Sequence, residues 1–138
     1  MKKRFEVIDH TADIGIAAYG ANLREAFANA AYALFSLMVD LGNVANVLCC
    51  EAEVTAENRE DLLVAWLSEL IYLFEVESVL LKRFEIDELS ETRLRARCYG
   101  ERIDPERHKI KIAVKAATYH MLKVVEGDGC RVQVLFDI

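Results

Sequence analysis

The sequence of 138 residues lacks the features that mark several large classes of protein. It has no apolar run near the ~20 residues that a membrane-spanning helix needs. The basic start at 1–4 is followed by no apolar stretch, so no signal peptide is predicted and we expect a cytoplasmic protein with no membrane partner. With a single proline and no linker or low-complexity segment, the chain is predicted to form one domain over 1–138.

Cysteine is sparse and badly spaced for metal binding. Cys49 and Cys50 are adjacent, whereas Cys98 and Cys130 stand alone, so no C-x-x-C pair is available for zinc or disulfide exchange. In a strand the first two would point to opposite faces. We therefore expect ordinary buried thiols in a reducing compartment.

Several catalytic and nucleotide-binding motifs are absent. There is no P-loop, no G-x-G-x-x-G and no G-x-S-x-G segment. His10, His108 and His120 are too scattered to indicate a metal site by spacing, and no local signature supports a Cys-His hydrolase. The net charge of −6 argues against free nucleic acid as a direct ligand but allows a partner protein that binds RNA.

What remains is a globular composition, 54% hydrophobic and 29% charged. The patterns predict helices over 23–39 and 59–77, capped by Asn22 and Asn58. They predict strands over 5–9, 14–19, 47–55, 80–87, 92–100, 110–125 and 131–137, with a bend near 118–120 and a hairpin turn at 127–129. Both helices are apolar around most of their circumference, which indicates an α+β fold with two long helices packed between or against mostly antiparallel sheet layers.

Two acidic segments stand out as a candidate cation site. The loop 10–15 brings Asp13 to the mouth of a strand, and the sequence ends in Asp137 and Ile138, so that a side-chain carboxylate and an α-carboxylate are neighbours. Crowded carboxylates attract a cation, and hard oxygen donors suit calcium, magnesium or manganese. The alternatives are a locally hydrogen-bonded turn and a solvated strand end.

Two basic rows are candidate contact surfaces. Alternation over 110–116 puts isoleucine and valine inward and leaves Lys111 and Lys115 outward, where they could serve an acidic partner. In the strand over 92–100, Arg93, Arg95 and Arg97 face outward. For both rows the alternative is an ordinary solvated strand face.

Three segments together resemble the archease family across essentially the whole chain. They are Phe-Glu-Val-Ile-Asp-His-Thr-Ala-Asp at 5–13, Val-Lys-Ala-Ala-Thr-Tyr-His at 114–120 and Val-Leu-Phe-Asp-Ile at 134–138. Archeases are non-catalytic accessory proteins of the RtcB-type tRNA-splicing ligase, and they promote its guanylylation and its multiple turnover. The resemblance implies the same partner for this chain.

The resemblance also implies roles for individual residues. Asp13, Asp137 and the terminal Ile138 correspond to a divalent-cation site, with Ca²⁺ expected in a crystal and Mg²⁺ or Mn²⁺ as alternatives. Lys115 corresponds to a lysine tied to activation, and His10 and His120 are grouped with it as expected partner contacts. Two other functions stay open: a stand-alone metal-dependent phosphohydrolase, and a chaperone-like modulator of RNA-modifying methyltransferases that would use the arginine row.

Overall fold

The computed structural model describes residues 3–9 and 12–138. Within them the chain forms seven β-strands and two α-helices. The strands are β1 (Phe5–Asp9), β2 (Ile14–Gly20), β3 (Leu48–Thr55), β4 (Val79–Leu89), β5 (Arg93–Arg102), β6 (Ala116–Gly127) and β7 (Gly129–Asp137). The helices are α1 (Leu23–Met38) and α2 (Arg59–Glu77), and a short 3-10 helix spans Leu41–Asn43.

The strands make two antiparallel sheets with the helices between them. The first sheet has the order β1-β2-β7-β6 and the second β3-β5-β4. Helix α1 contacts β1, β2 and β7 of the first sheet and β4 of the second, while α2 contacts β6 and all three strands of the second sheet. The predicted α+β arrangement is therefore confirmed. No helix in the two described ranges is long and apolar enough to cross a membrane.

Both helices begin where the sequence predicts, because asparagine caps each of them. The Asn22 side chain accepts a hydrogen bond from the amide of Glu25 at 2.9 Å, and Asn58 accepts one from the amide of Asp61 at 2.8 Å. The helices then pack against each other through Trp66, which is fully buried and donates its indole N–H to the carbonyl of Phe27 at 3.0 Å. This contact satisfies the polar atom of the largest core side chain.

The strand predicted over 110–125 is wrong in its first part. Residues 109–115, here called the strap, run outside both sheets, and β6 begins only at Ala116. Ile110, Ile112 and Val114 do pack against the core, so the predicted alternation is confirmed although the sheet pairing is not. The reason is topological: the strap carries the chain from the second sheet to the first, and an extended segment that crosses between sheets shows the same period of two.

The predicted bend in this region is found slightly later, at residues 119–122, here called the bulge. Thr118 pairs with Leu135 and Lys123 with Gln133, so β6 advances by more residues than β7 between the same two pairings. Met121 in the bulge has φ of 56°, a left-handed conformation that non-glycine residues seldom adopt. The outcome is a local protrusion on the outermost strand of the first sheet.

Candidate functional site

Three chain segments meet at one end of the first sheet. Ile14 of β2 pairs with Phe136 of β7, and Ala116 of β6 pairs with Asp137. Extending this antiparallel register by one residue puts the backbone of Asp13 opposite that of Asp137. The sequence positions 13, 137 and 138, here called the acidic corner, are thus brought together by strand order.

Lys115 lies at the same end of the sheet. Its amide donates a hydrogen bond to the carbonyl of Asp137 at 2.8 Å, so the end of the strap is fastened directly to the end of β7. The side chains of Lys115, Asp137 and Ile138 are exposed and that of Asp13 is half-buried. Because paired antiparallel residues have Cα atoms about 4.5–5.5 Å apart, the carboxylates of Asp13 and Asp137 can reach one bound ion.

Beside the acidic corner, strands β2 and β7 approach each other closely. A Cβ atom on Gly15 would lie 2.3 Å from Cδ2 of Leu135 and 3.0 Å from the carbonyl oxygen of Val134. Leu135, which is fully buried, therefore occupies the space that a side chain at Gly15 would need. This explains why glycine follows the loop that carries Asp13, and it holds the two strands in register at the corner.

The oxygen donors at the acidic corner are of the type that a hard cation prefers, but they are too few to complete its coordination. Within the described chain no group of three or more histidine, cysteine, aspartate or glutamate side chains could hold a metal. Asp13 and Asp137 place two side-chain carboxylates at this corner. Calcium takes six to eight oxygen ligands, so the remaining ligands would come from water or from a partner protein.

One further oxygen nearby has no partner. The hydroxyl of Thr118 is buried and makes no hydrogen bond within the described chain. Thr118 pairs with Leu135, and Ala116, two residues earlier, pairs with Asp137. An unsatisfied buried hydroxyl costs stability, and because this one is shielded from solvent it is not available as a ligand in this conformation.

The three histidines have different surroundings. His10 lies outside the described residues. His120 is exposed in the bulge. His108 is buried, and its Nδ1 accepts the amide N–H of Asp104 at 2.9 Å, while Nε2 lies 2.9 Å from the carbonyl of Asn43. A ring nitrogen that accepts a backbone N–H is unprotonated, so Nε2 carries the hydrogen and donates it; His108 serves the structure.

Two of the four cysteines, Cys50 and Cys98, are made poor nucleophiles by burial. Burial raises the pKa of the Cys98 thiol well above its ordinary value, and burial also raises that of Cys50, its cross-strand neighbour. All four cysteines are free thiols, but the predicted burial is wrong for Cys49, which is exposed, and only Cys98 is fully buried. A raised pKa leaves little thiolate to act as a nucleophile, which argues against a Cys-His hydrolase built on Cys98.

The arginine row on β5 faces outward as predicted, and two of its three members, Arg93 and Arg97, form ion pairs. Arg97 donates to both carboxylate oxygens of Asp87 at 2.9 Å, and Arg93 pairs with Glu53. This hydrogen bond from Arg97 lowers the pKa of Asp87. The sequence pattern missed the compensation because the acidic partners come from β3 and β4, and only the sheet register reveals them. Two of the three charges in the row are therefore already compensated within the sheet.

A groove of about 620 Å³ lies at the other end of the first sheet. Tyr19, Glu25 and Arg131 are among its lining residues, and the neighbouring pair of Gly20 with Cys130 marks the opposite end of the β2–β7 ladder from the corner. Sequence reasoning missed it because its walls come from distant segments. Its charges are mixed in sign, so it indicates no particular ligand.

The chain was compared with known proteins once this geometry had been established. The model of the Archease protein family (MTH1598/TM1083) matches residues 5–138. The chain belongs to the archease family. Among curated relatives, the protein archease of Methanosarcina acetivorans is 40% identical over 141 residues, which is 99% of this chain and 97% of that protein. The protein archease of Pyrococcus abyssi is 43% identical over 88% of each chain.

Solved structures of archeases agree with the fold. The solution structure of Methanobacterium thermoautotrophicum protein 1598 matches with a TM-score of 0.83 and 37% identity, covering 98% of this chain and 99% of that one. The crystal structure of a Thermotoga maritima protein, described as an archease and possible chaperone, matches with a TM-score of 0.66 and 25% identity, covering 100% and 98%. The archease fold thus spans the chain.

Proposed function

We propose that this archease is a non-catalytic activator of an RtcB-type tRNA-splicing ligase, and that it acts through a divalent cation bound at the acidic corner. The observation that supports the proposal is the meeting of positions 13, 115 and 137 at one end of the first sheet. Two carboxylates and an exposed lysine in such proximity suit a site that binds a cation together with a phosphate-bearing partner.

In this proposal each residue has a separate task. Asp13 and Asp137 hold the cation, and the α-carboxylate of Ile138 adds an oxygen. When bound, a divalent cation supplies positive charge that neutralises triphosphate oxygens. Lys115 adds a further positive charge, which its backbone bond to Asp137 keeps at the corner. The incomplete ligand set leaves coordination positions for groups of the ligase or its nucleotide.

The phosphohydrolase alternative would use the same carboxylates to bind its cation. Among the described residues, the hydroxyl of Thr118, close to the corner, has no hydrogen-bond partner, so no described base activates it. Cys50 and Cys98 belong to the second sheet and have raised pKa values. A metal-dependent phosphohydrolase can instead activate a water molecule with its cation, so release of phosphate by this protein alone is the result that separates the alternative from the activator.

A chaperone-like role has one observation in its favour, the description of the Thermotoga relative as a possible chaperone. It predicts that this archease suppresses aggregation of an unrelated denatured protein. It also predicts that the Asp13→Ala variant retains that suppression, because binding to unfolded chains depends on exposed apolar surface and not on a cation. The activator proposal makes no such prediction.

The decisive assay follows formation of the ligase–GMP adduct. Ligase is incubated with GTP and Mn²⁺ or Mg²⁺, with split tRNA added in a second arm, and substoichiometric archease is either present or absent. We expect archease to accelerate adduct formation and to allow multiple turnover. Phosphate release from GTP or RNA by archease alone would instead favour the phosphohydrolase, and equal adduct formation with and without archease would contradict the proposal.

The contribution of Ile138 can be separated from that of the side chains. Adding two glycines after Ile138 moves the terminal charge away from the corner while leaving Asp13 and Asp137 in place. We expect the extended protein to need a higher cation concentration for the same activation. The matched control carries the two glycines before Met1 and should behave as the unmodified chain does.

A further inference from the structure

The charge of this acidic protein is unevenly distributed along the chain. Residues 107–125 contain no aspartate or glutamate, although the whole chain has a net charge of −6. The cations in this stretch are Arg107, Lys109, Lys111, Lys115 and Lys123. Arg107 is paired with Glu101 and Asp104, whereas the strap lysines are not paired with any residue that the structure describes.

The strap presents these lysines in a fixed arrangement. Its inward residues Ile110, Ile112 and Val114 pack on the core, and the amide of Lys111 donates to the carbonyl of Met38 at 2.7 Å. Lys109 and Lys111 are both exposed, and extended backbone puts alternate residues about 6.6 Å apart on one side. Anchored backbone with unpaired charges lowers the ordering cost of binding an anionic surface.

The bulge next to the strap presents apolar groups that are also held in place. Tyr119 is 60% exposed, with its hydroxyl hydrogen-bonded to the side chain of Asp61 in α2, and Met121 is 44% exposed. The side chain of Gln133, itself only 5% exposed, donates to the carbonyl of Met121 at 2.9 Å and accepts from Arg131 at 2.8 Å. A buried amide thus fixes a strained turn whose side chains point outward, an arrangement often found at functional positions.

We propose that the strap and the bulge form one docking surface, which binds an acidic protein surface around an apolar pocket on the ligase. This inference rests on the proposed function, because it names the part of the same partner that the corner would approach. Tyr119 and Met121 fill the apolar pocket, and Lys109 and Lys111 face carboxylates at its rim. Lys115 lies between them at the corner.

A protein occupant suits these observations better than RNA does. Tyrosine and methionine are enriched in protein interfaces, with charged groups at the rim. A phosphate backbone would gain from the lysines but nothing from the thioether of Met121, and the net charge of −6 opposes RNA at longer range. Charge complementarity across a protein interface also accelerates encounter.

The test measures the dissociation constant of archease from RNA-free ligase at two salt concentrations, together with maximal adduct formation at saturating archease. For the double variant Lys109→Glu, Lys111→Glu we expect binding to weaken by about tenfold or more at low salt, with a shallower salt dependence. Maximal adduct formation should be unchanged. The matched control, Lys109→Arg with Lys111→Arg, should bind as the unmodified chain does.

The bulge is tested in the same assay. Tyr119→Ser with Met121→Ser should also weaken binding by about tenfold, while Tyr119→Phe with Met121→Leu should retain affinity. Gln133→Leu removes the hydrogen-bond donor to the carbonyl of Met121 and so loosens the bulge. Although Gln133 is buried and would not contact the ligase, we expect this change to weaken binding. Melting curves for each variant identify any loss of fold. If the double glutamate variant does not fold, the double variant Lys109→Ala, Lys111→Ala replaces it.

The outcomes separate this inference from the proposed function. Unchanged affinity in both the strap and the bulge variants would overturn the docking surface, whatever the acidic corner does. A second result would also overturn it. In that result archease alone binds RNA, the double change of Lys109 and Lys111 to Glu removes this RNA binding, and the affinity for the ligase stays the same. If Asp13→Ala retains full activation but the reversal weakens binding, the corner proposal fails and the docking surface stands.

Discussion

Two strongly charged regions of this archease differ in whether their charged side chains form ion pairs. The outer face of the second sheet has arginines on β5 flanked by acidic residues of β3 and β4, and Arg93 and Arg97 are both ion-paired. The strap runs between the two sheets, and its Lys109 and Lys111 have no acidic partner among the residues that the structure describes. Charge density alone therefore does not identify a binding surface.

The difference follows from backbone topology. β5 is the central strand of its sheet, so each outward arginine has a neighbour on both sides, and the register puts Glu53 opposite Arg95 and Glu51 opposite Arg97. The strap belongs to no sheet, so no strand register puts a described residue opposite its lysines. A paired surface contributes modestly to stability, whereas an unpaired one is available to another molecule.

The largest expected effect comes from the corner. Asp13→Ala should reduce formation of the ligase–GMP adduct to the level seen without archease, because the cation would lose one of its two side-chain carboxylates. The matched change on the paired face, Asp87→Ala, should leave activation intact. Both variants are assayed at saturating archease, with melting curves to verify folding.

Either of two results would break this contrast. Full activation by a folded Asp13→Ala protein would show that the corner does not bind a required cation. Loss of activation in the folded Asp87→Ala protein would show that the paired face takes part in function.

Lys115 is expected to have the next largest effect. Lys115→Ala should lower maximal activation by about tenfold, since one positive charge near a phosphate-bearing partner contributes on the order of 1.4 kcal/mol when partly desolvated. Lys115→Arg should restore part of the activity. Arg95→Ala, which removes a cation from the paired face, serves as the control, and an equal loss there would indicate a general effect of net charge.

On the paired face the effect should fall on stability and be small. Arg97→Ala removes the bidentate ion pair with Asp87 and should lower the melting temperature by roughly 2 °C at low salt. The difference should shrink in 1 M NaCl because the pair is exposed and screened. A shift in activation without a shift in melting temperature would contradict the structural role assigned to this pair.

The smallest effect is the pH dependence of the same pair. Because Arg97 lowers the pKa of Asp87 below its ordinary value, the aspartate stabilises the fold fully above its unfolded pKa, near 4. That contribution is lost as the pH falls through the lowered folded value. The free energies of unfolding of the native chain and of Asp87→Asn should therefore differ at pH 6, and the difference should shrink as the pH falls below the unfolded pKa. A difference that stays constant throughout the acid range would contradict the assignment.

Much of the fold could be predicted from local pattern. The α2 bounds, Arg59–Glu77, and the caps Asn22 and Asn58 were readable because capping and helical periodicity act over a few residues. The strap was mistaken for a strand, since alternation reports which side chains are buried and not whether a neighbouring strand exists. The pairing of Arg97 with Asp87 was missed for the same reason: sheet register is a property of distant segments.

The candidate site was predictable in part. The loop with Asp13 and the end with Asp137 were noticed as separate acidic segments, and resemblance to archeases joined them. Strand order β1-β2-β7-β6 gives the physical reason that they meet. The bend near 118–120 could be predicted from the sequence, whereas the register shift between Thr118 and Lys123 and the hydrogen bond from Gln133 could not, because both depend on how two strands match. The metal, the ligase and the roles of Lys115, His10 and His120 stay predictions.

The most direct test of the central claim is paramagnetic broadening of backbone amide signals by Mn²⁺ in a solution of the isolated protein. If a cation binds at the acidic corner, substoichiometric Mn²⁺ should first broaden the amides of Asp13, Lys115, Ala116 and Asp137, and Asp13→Ala should abolish that broadening. The equally acidic positions Glu51 and Glu53 should keep sharp signals. Broadening that begins at Glu51 and Glu53, or that is uniform along the chain, would contradict a cation site formed by the two aspartates.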